Sequence, residues 1–330
     1  MRLTDSHGRV ATDLRVSLTD RCNLRCTYCM PAQGLDWLPT ARILTDDEVL
    51  RLVTLAVTRL GVTEIRLTGG EPTLRPSLVH LVERMAALSP RPEISLTTNG
   101  LRLSDLAPRL AAVGLDRVNV SLDTLRADRF ARITRRDRIE DVLAGMAAAV
   151  DAGLTPVKVN AVLVRGLNDD EAAPLLRFCL EHGYELRFIE QMPLDAQHGW
   201  RRAEMVTAAE IMELLRAEFG LEPARAQSRG SAPAELFMVD GGPGTVGVIG
   251  SVSAPFCAAC DRVRLTADGQ VRNCLFAREE SDLRGPMRAG ADDDELAVLW
   301  ARAVAGKRAG HGIDTPGFRQ PDRPMSAIGG

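Results

Sequence analysis

Between residues 14 and 190 the chain switches repeatedly between two spacings of its apolar side chains. Runs that are apolar at every second position predict strands at Leu14–Leu18, Glu64–Thr68, Glu93–Thr97, Arg117–Leu122, Val157–Val162 and Glu185–Glu190. Between them the spacing lengthens to three and four residues, as helices require. The clearest helix starts at Thr45, where Glu48 completes a capping box. Val49, Leu52, Val53, Ala56 and Leu60 make one stripe, and Gly61 ends it. Alternating strands and helices demand a parallel sheet with right-handed crossovers. Six such units predict an α/β fold, an incomplete (β/α)6 TIM-like barrel. A flat doubly wound sheet is the structural alternative.

The strands carry a second message. A parallel sheet covered on both faces reads as continuous apolar runs, yet these strands alternate. Leu14, Val16 and Leu18 oppose Arg15 and Ser17; Ile65 and Leu67 oppose Arg66 and Thr68; Ile94 and Leu96 oppose Ser95 and Thr97. Val118, Val120 and Leu122 oppose Asn119, Ser121 and Asp123, and Val157, Val159 and Ala161 oppose Lys158 and Asn160. Five successive strands thus turn a polar face away from the helices, and in a barrel that face is the lumen. Unpaired buried polar groups cost about 1–3 kcal/mol each, so such a lumen must hold water or a polar ligand. A large, polar substrate is expected.

Beyond residue 190 the pattern changes. Residues 191–232 are a transition: a loop at Pro193–Arg202, a helix near Thr207–Phe219 and the SRGSAP stretch from Ser228. Residues 233–276 read as short strands with turns at Gly241–Gly244 and Asp268–Gly269. A last helix is predicted over 292–305, followed by a Gly- and Pro-rich tail ending in Gly329–Gly330. The chain therefore divides into a partial barrel, 1–232, and a smaller α+β C-terminal domain, 233–330.

Composition narrows the class. At 330 residues and a net charge of −3, nothing points to nucleic acid or a membrane. No apolar leader occupies residues 1–13, and no apolar stretch is long enough to span a bilayer, so a cytoplasmic location is expected. Only Lys158 and Lys307 among the 41 basic residues are lysine, so abundant Arg says little and a mid-strand Lys stands out. Six of the seven Cys fall in two tight groups, which in a reducing compartment means metal rather than disulfides.

The first group, Cys22-Asn-Leu-Arg-Cys26-Thr-Tyr-Cys29, offers three thiolates to a cluster that ordinarily takes four. The fourth iron is then open to a non-protein ligand. Zinc favours paired C-x2-C motifs or nearby His, and none of the five His pairs with this segment. After the second strand comes Thr68-Gly69-Gly70-Glu71-Pro72, whose glycines let backbone approach a ligand closely. The second group is Cys257, Cys260 and Cys274, again three ligands. Zinc competes better here, but no fourth ligand is evident, since Cys179 lies in an apolar helical stripe. A second [4Fe–4S] cluster with an open iron is the sharper reading, its open site facing substrate. Between those cysteines, Arg262 and Arg264 project to one side of a strand, a grip for phosphate or carboxylate.

The C-x3-C-x2-C spacing of Cys22–Cys29 resembles the radical S-adenosylmethionine (SAM) enzymes. Together with GGEP, the second cysteine group, the RVRLTADG run and the terminal Gly-Gly, it resembles the molybdenum cofactor biosynthesis protein A family, the GTP 3′,8-cyclases, nearly end to end. The resemblance implies that a 5′-deoxyadenosyl radical removes H3′ from the GTP ribose and C3′ adds to guanine C8. It implies SAM contacts at Tyr28, Gly69, Gly70, Glu71, Ser121 and Met192, with Gly70 at the SAM amino group. It implies GTP contacts at Arg15, Arg66, Thr97, Lys158, Arg262, Val263 and Arg264, with guanine on the second cluster. Cys22, Cys26, Cys29, Arg262, Arg264, Gly329 and Gly330 become the catalytic set. The tail is expected to enter the active site, so that removing both glycines abolishes turnover and spares both clusters. Asp261 stands where the family resemblance leads one to expect Asn, and Arg66 where a basic residue is common but not always Arg. The resemblance further implies a reductant such as flavodoxin or ferredoxin, and product transfer to cyclic pyranopterin monophosphate synthase. A monomer or homodimer is expected. A radical SAM peptide-modifying enzyme and a non-catalytic iron–sulfur or zinc protein are the alternatives.

Overall fold

The computed structural model describes residues 1–224 and 230–329; Gly330 and the start of the SRGSAP stretch, Ser228 and Arg229, lie outside the described residues. The first half runs β1 (Asp13–Ser17), α1 (Asp46–Arg59), β2 (Glu64–Thr68), α2 (Leu78–Ala86), β3 (Glu93–Thr98), α3 (Leu103–Ala112) and β4 (Arg117–Ser121). Two helices follow, α4 (Ala127–Thr134) and α5 (Ile139–Asp151), then β5 (Lys158–Val162), α6 (Ala172–Glu181) and β6 (Glu185–Ile189). Next come α7 (Ala208–Arg216), β7 (Leu221–Pro223), β8 (Glu235–Val239), β9 (Thr245–Ile249), β10 (Arg262–Leu265), β11 (Gln270–Arg272) and β12 (Ser281–Asp282). The chain closes with α8 (Arg284–Arg288), α9 (Asp293–Ala305) and α10 (Met325–Ile328).

All twelve strands form one sheet, ordered β12-β11-β10-β1-β2-β3-β4-β5-β6-β9-β8-β7. β1 to β6 are parallel neighbours in chain order. Consecutive order with one crossover hand puts every helix on the same side. A doubly wound sheet would need a reversal of strand order, so the flat alternative falls. The sheet does not close on itself. β10 adds in parallel to the outer edge of β1 and β9 to that of β6, and antiparallel hairpins continue from each. Strands from beyond residue 233 thereby cover both edges of the six-stranded half-barrel, which would otherwise expose unpaired backbone.

One apolar core lies between sheet and helices. Leu14, Val16, Ile65, Leu67, Ile94, Leu96, Val118, Val120, Val159, Leu186 and Phe188 are all buried in it. Cys179 joins them at 0% exposure. The α1 capping box at Thr45 and Glu48 forms in both directions, as does one at Thr207 and Glu210 for α7. The expectation that 292–305 holds the last helix is corrected by α10, one turn entered from Pro324. Four residues are too few to show a helical period. No helix among the described residues is long and apolar enough to cross a membrane.

Candidate active site

The polar positions of the strands meet in register on the concave face. Arg264 pairs with Arg15, and Arg15 with Arg66. Thr97 pairs with Asn119, Asn119 with Lys158, and Asn160 with Arg187. A cavity of about 320 Å³ opens over this face, within the range of small-molecule sites. Arg15, Arg66, Thr97, Ser121, Arg262 and Arg264 line it from the sheet. Cys22, Cys26, Tyr28 and Cys29 line it from the loop after β1, and Gly69, Gly70, Glu71 and Met192 complete the wall. Lys158 stands just outside, 3.6 Å from Glu185. Val263 turns the other way, into the core.

The cysteine loop is held from three sides. The amides of Arg25 and Thr27 donate to Thr134 O and Ile133 O at the end of α4, each at 2.9 Å. Gly70 N donates to Thr19 O at 2.8 Å and Glu71 N to Arg21 O at 2.7 Å, locking the strand that enters the loop. A Cβ on Gly70 would collide with the backbone carbonyls of Asp20 and Arg21, so this approach needs glycine. The Glu71 carboxylate is already saturated, accepting from Thr73 N and Oγ1, Thr98 Oγ1 and Asn99 N. It fixes Asn99, whose Nδ2 donates to Asn23 Oδ1 at 2.7 Å. Tyr28 is anchored by its hydroxyl, which donates to Asp123 Oδ2 at 2.6 Å. Burial lifts the Asp123 carboxyl to about 6, against the hydrogen bonds from Tyr28 and the Val162 amide.

The tail reaches the same cavity. Met325 N donates to Leu194 O at 2.9 Å, and Met325 and Ser326 line the wall. The Ser326 amide hydrogen-bonds Cys29, and the Gly329 carbonyl accepts from Arg264 Nη1. Gly329 has φ +84°, and a Cβ there would overlap Thr68 Oγ1. Met192, like the tail's Met325, packs against the apolar cluster of Leu194, Phe276 and Ile328, and it also faces the cavity.

The chemistry of the donors fits the groups expected here. Burial raises all three first-loop thiols, Cys22 to about 11, Cys29 to about 12 and Cys26 well above the ordinary range. They are neutral thiols until a metal displaces the protons. Among the described residues no three His, Cys, Asp or Glu side chains close on one point as a single ion would need. The thiols of each triad still lie near enough to feel one another's charge, the looser grouping that a polynuclear cluster spans.

The cationic face fits a polyanion. The Nε atoms of Arg15, Arg66 and Arg187 are buried without a hydrogen-bond partner. Burial, then the neighbouring Arg15, drops the Arg66 guanidinium to about 9. Burial, then Arg187, drops the Lys158 ammonium to about 8. Cations crowded together and short of acceptors are what an incoming phosphate chain satisfies. Two of the residues here escaped sequence reasoning. Arg187 belongs to β6, where adjacent Phe188 and Ile189 blur the alternation. Asp13 sits one residue ahead of the predicted β1 start, its Oδ1 buried and unpartnered among four arginines.

The second triad lies behind the cavity wall: Phe256 and Leu275, next to Cys257 and Cys274, face the cavity while the cysteines do not line it. Cys274 borders a separate cavity of about 530 Å³. Arg9 Nη1 donates to Cys257 O at 2.6 Å, and Lys307 Nζ lies 3.3 Å from Cys260 Sγ. Burial alone would raise the Cys260 thiol, but Arg262 and Lys307 together bring it below its usual range.

Known proteins resemble this chain at two levels. In overall shape it is similar to Streptococcus suis SuiB bound to S-adenosylmethionine, at TM-score 0.61 and 14% identity over 89% of this chain and 69% of that one. It is also similar to anSMEcpe with bound AdoMet, at TM-score 0.59 and 14% identity over 91% of this chain and 78% of that one. At that identity only the fold is shared. In sequence, the Radical SAM superfamily model matches residues 16–179 and the Molybdenum Cofactor Synthesis C model residues 184–313. The GTP 3′,8-cyclase of Streptomyces coelicolor is 66% identical over 99% of this chain and 96% of its own length. The GTP 3′,8-cyclase 2 of Mycobacterium tuberculosis strain H37Rv is 61% identical over 99% of this chain and 92% of its own. End-to-end likeness at that level, on a half-barrel whose cysteine loop and arginine face share one cavity, means that the chain belongs to the GTP 3′,8-cyclase family of radical SAM enzymes.

Proposed function

We propose that this protein converts GTP to (8S)-3′,8-cyclo-7,8-dihydroguanosine 5′-triphosphate, the first step of molybdopterin biosynthesis. The observation that carries the reading is the arginine face: three partly buried guanidiniums whose Nε atoms are buried without a partner, in the same cavity as Cys22, Cys26 and Cys29.

Cys22, Cys26 and Cys29 would hold a [4Fe–4S] cluster and leave one iron for SAM. Gly69, Gly70, Ser121, Met192 and the backbone of Tyr28 surround SAM, while Glu71 positions the loop. Bound there, a cluster would supply the electron that cleaves SAM to methionine and a 5′-deoxyadenosyl radical able to take H3′. Arg15, Arg66, Lys158, Arg262 and Arg264 hold the triphosphate by charge-assisted bonds, each worth roughly 1.5–3 kcal/mol, with Thr97 and the Val263 backbone beside them. Arg187 shares this face. Cys257, Cys260 and Cys274 would hold a second [4Fe–4S] cluster behind the cavity wall, and an open iron there would take the guanine. Holding ribose and adenosyl carbon about 3–3.5 Å apart is then a matter of positioning at both ends of the lumen. Gly329 enters the lumen, which its Arg264 contact supports.

The division at 232/233 separates the SAM-binding part from the part carrying the second cluster. A small electron carrier such as flavodoxin or ferredoxin supplies the electrons, and the product passes to cyclic pyranopterin monophosphate synthase. The protein works in the cytoplasm, as a monomer or homodimer, without nucleic acid or membrane. The test is anaerobic: protein reconstituted with iron and sulfide is given dithionite, SAM and GTP. Formation of 5′-deoxyadenosine and an isomer of GTP is expected. Deoxyadenosine formed with a peptide but not with GTP would favour the peptide-modifying alternative.

A further inference from the structure

Lys307, one of the chain's two lysines, has no role in the mechanism above. It directly follows Gly306, the C-cap of α9, and its amide donates to Val304 O at 2.9 Å. It is 4% exposed, and Nζ donates to Cys260 O at 2.9 Å, Cys260 Sγ at 3.3 Å and Arg262 O at 2.8 Å. An ammonium has three N–H donors and no acceptor, so these three partners use it completely, and none of them is a carboxylate. The same helix end also holds the neighbour of the third thiol: Asn273 Nδ2 donates to Ala303 O at 2.7 Å. A guanidinium is a planar fork and cannot aim three bonds from one atom at three such acceptors. A chain that otherwise uses Arg almost throughout has lysine at this point.

We propose that Lys307 is the positioning residue of the second iron–sulfur site, where its ammonium bonds the Cys260 sulfur and, through Arg262 O, holds the Cys260–Arg262 link against the lumen. The inference rests on reading Cys257, Cys260 and Cys274 as cluster ligands. A fixed positive charge on a ligand sulfur favours the reduced, more negative cluster, so Lys307 raises its potential. The clamp on Arg262 O ties that electrostatic setting to a residue of the GTP grip.

The test uses the full chain with Cys22, Cys26 and Cys29 changed to Ala, so that only the second site reports. After anaerobic reconstitution the parent should carry about four irons per chain, followed by redox titration with EPR detection. Lys307→Gln in this background should lower the midpoint, cutting the reduced-to-oxidised ratio at the parent's midpoint about tenfold, or about 59 mV for one electron. GTP binding should weaken in parallel. Lys307→Gln with full iron, the parent's midpoint and unchanged GTP affinity would overturn the proposal. Should Lys307→Gln lose its iron, the proposal stands only if Lys307→Arg, which keeps the charge beside the Cys260 sulfur though not all three bonds, retains it; loss from both marks plain packing and overturns it. A parent without iron would instead overturn the cluster reading itself, and this inference with it.

Discussion

Cys22, Cys26 and Cys29 lie where burial dominates; the hydrogen bonds that reach the Cys22 and Cys29 sulfurs come from the amides of Leu24, Asn99 and Ser326, while the Arg25 guanidinium bonds the Cys22 carbonyl. Cys260, in the other triad, sits against a buried ammonium and close to a guanidinium. The same set of three cysteines is therefore placed in two electrostatic settings. Sulfurs that meet no cationic hydrogen-bond donor keep a cluster's potential low, as the site that donates an electron to SAM requires. Cationic surroundings suit the proposed second site, which would hold substrate beside a triphosphate. The two triads differ less in their ligands than in the charges packed around them.

Removing one ligand from each triad should separate the roles most sharply. Cys26→Ala should lose about half the iron and all 5′-deoxyadenosine formation. Cys274→Ala should lose a similar share of iron but keep SAM binding, measured by equilibrium dialysis, while the GTP isomer disappears. Equal loss of SAM binding in both variants would erase the distinction drawn here.

Changes in the lumen should come next in size. Arg15→Ala should weaken GTP about tenfold to a hundredfold, the worth of one charge-assisted contact, with iron content unchanged. Gly329→Ala should cut turnover with both clusters intact, because the new Cβ meets Thr68 and the Ser17 side chain; GTP titration and iron analysis check both. A smaller effect is set by pH. Lys158 binds phosphate only when protonated, and in the free protein its ammonium titrates at about 8. GTP affinity should therefore fall as pH rises through about 8, and Lys158→Met should flatten that slope in calorimetric titrations. Smallest is a change outside both triads: Thr45→Ala removes the α1 cap and should cost about 1 kcal/mol of stability, with both iron sites unaffected.

Much of this was legible in the chain because it is local. Strand period placed β1 to β6 to within a residue or two, and alternation put Arg15, Arg66, Thr97 and Lys158 on the concave face. Where alternation breaks, at Phe188 and Ile189, Arg187 was lost with it. What stayed hidden depends on distant pairing. Nothing near β9 or β10 announces that they flank β6 and β1, since that choice is made by backbone edges formed elsewhere. The Tyr28–Asp123 bond spans 95 residues and the Lys307–Cys260 contact 47. Lys307 stood out only as a rare lysine, and its partners were set by how α9 docks.

The central claim is that one lumen brings the adenosyl carbon to C3′ of GTP. GTP carrying deuterium at C3′ tests it most directly, incubated anaerobically with the reconstituted, dithionite-reduced protein and SAM. Deuterium should appear in 5′-deoxyadenosine as the cyclised product forms. Deoxyadenosine free of deuterium, formed while GTP is consumed, would contradict the account.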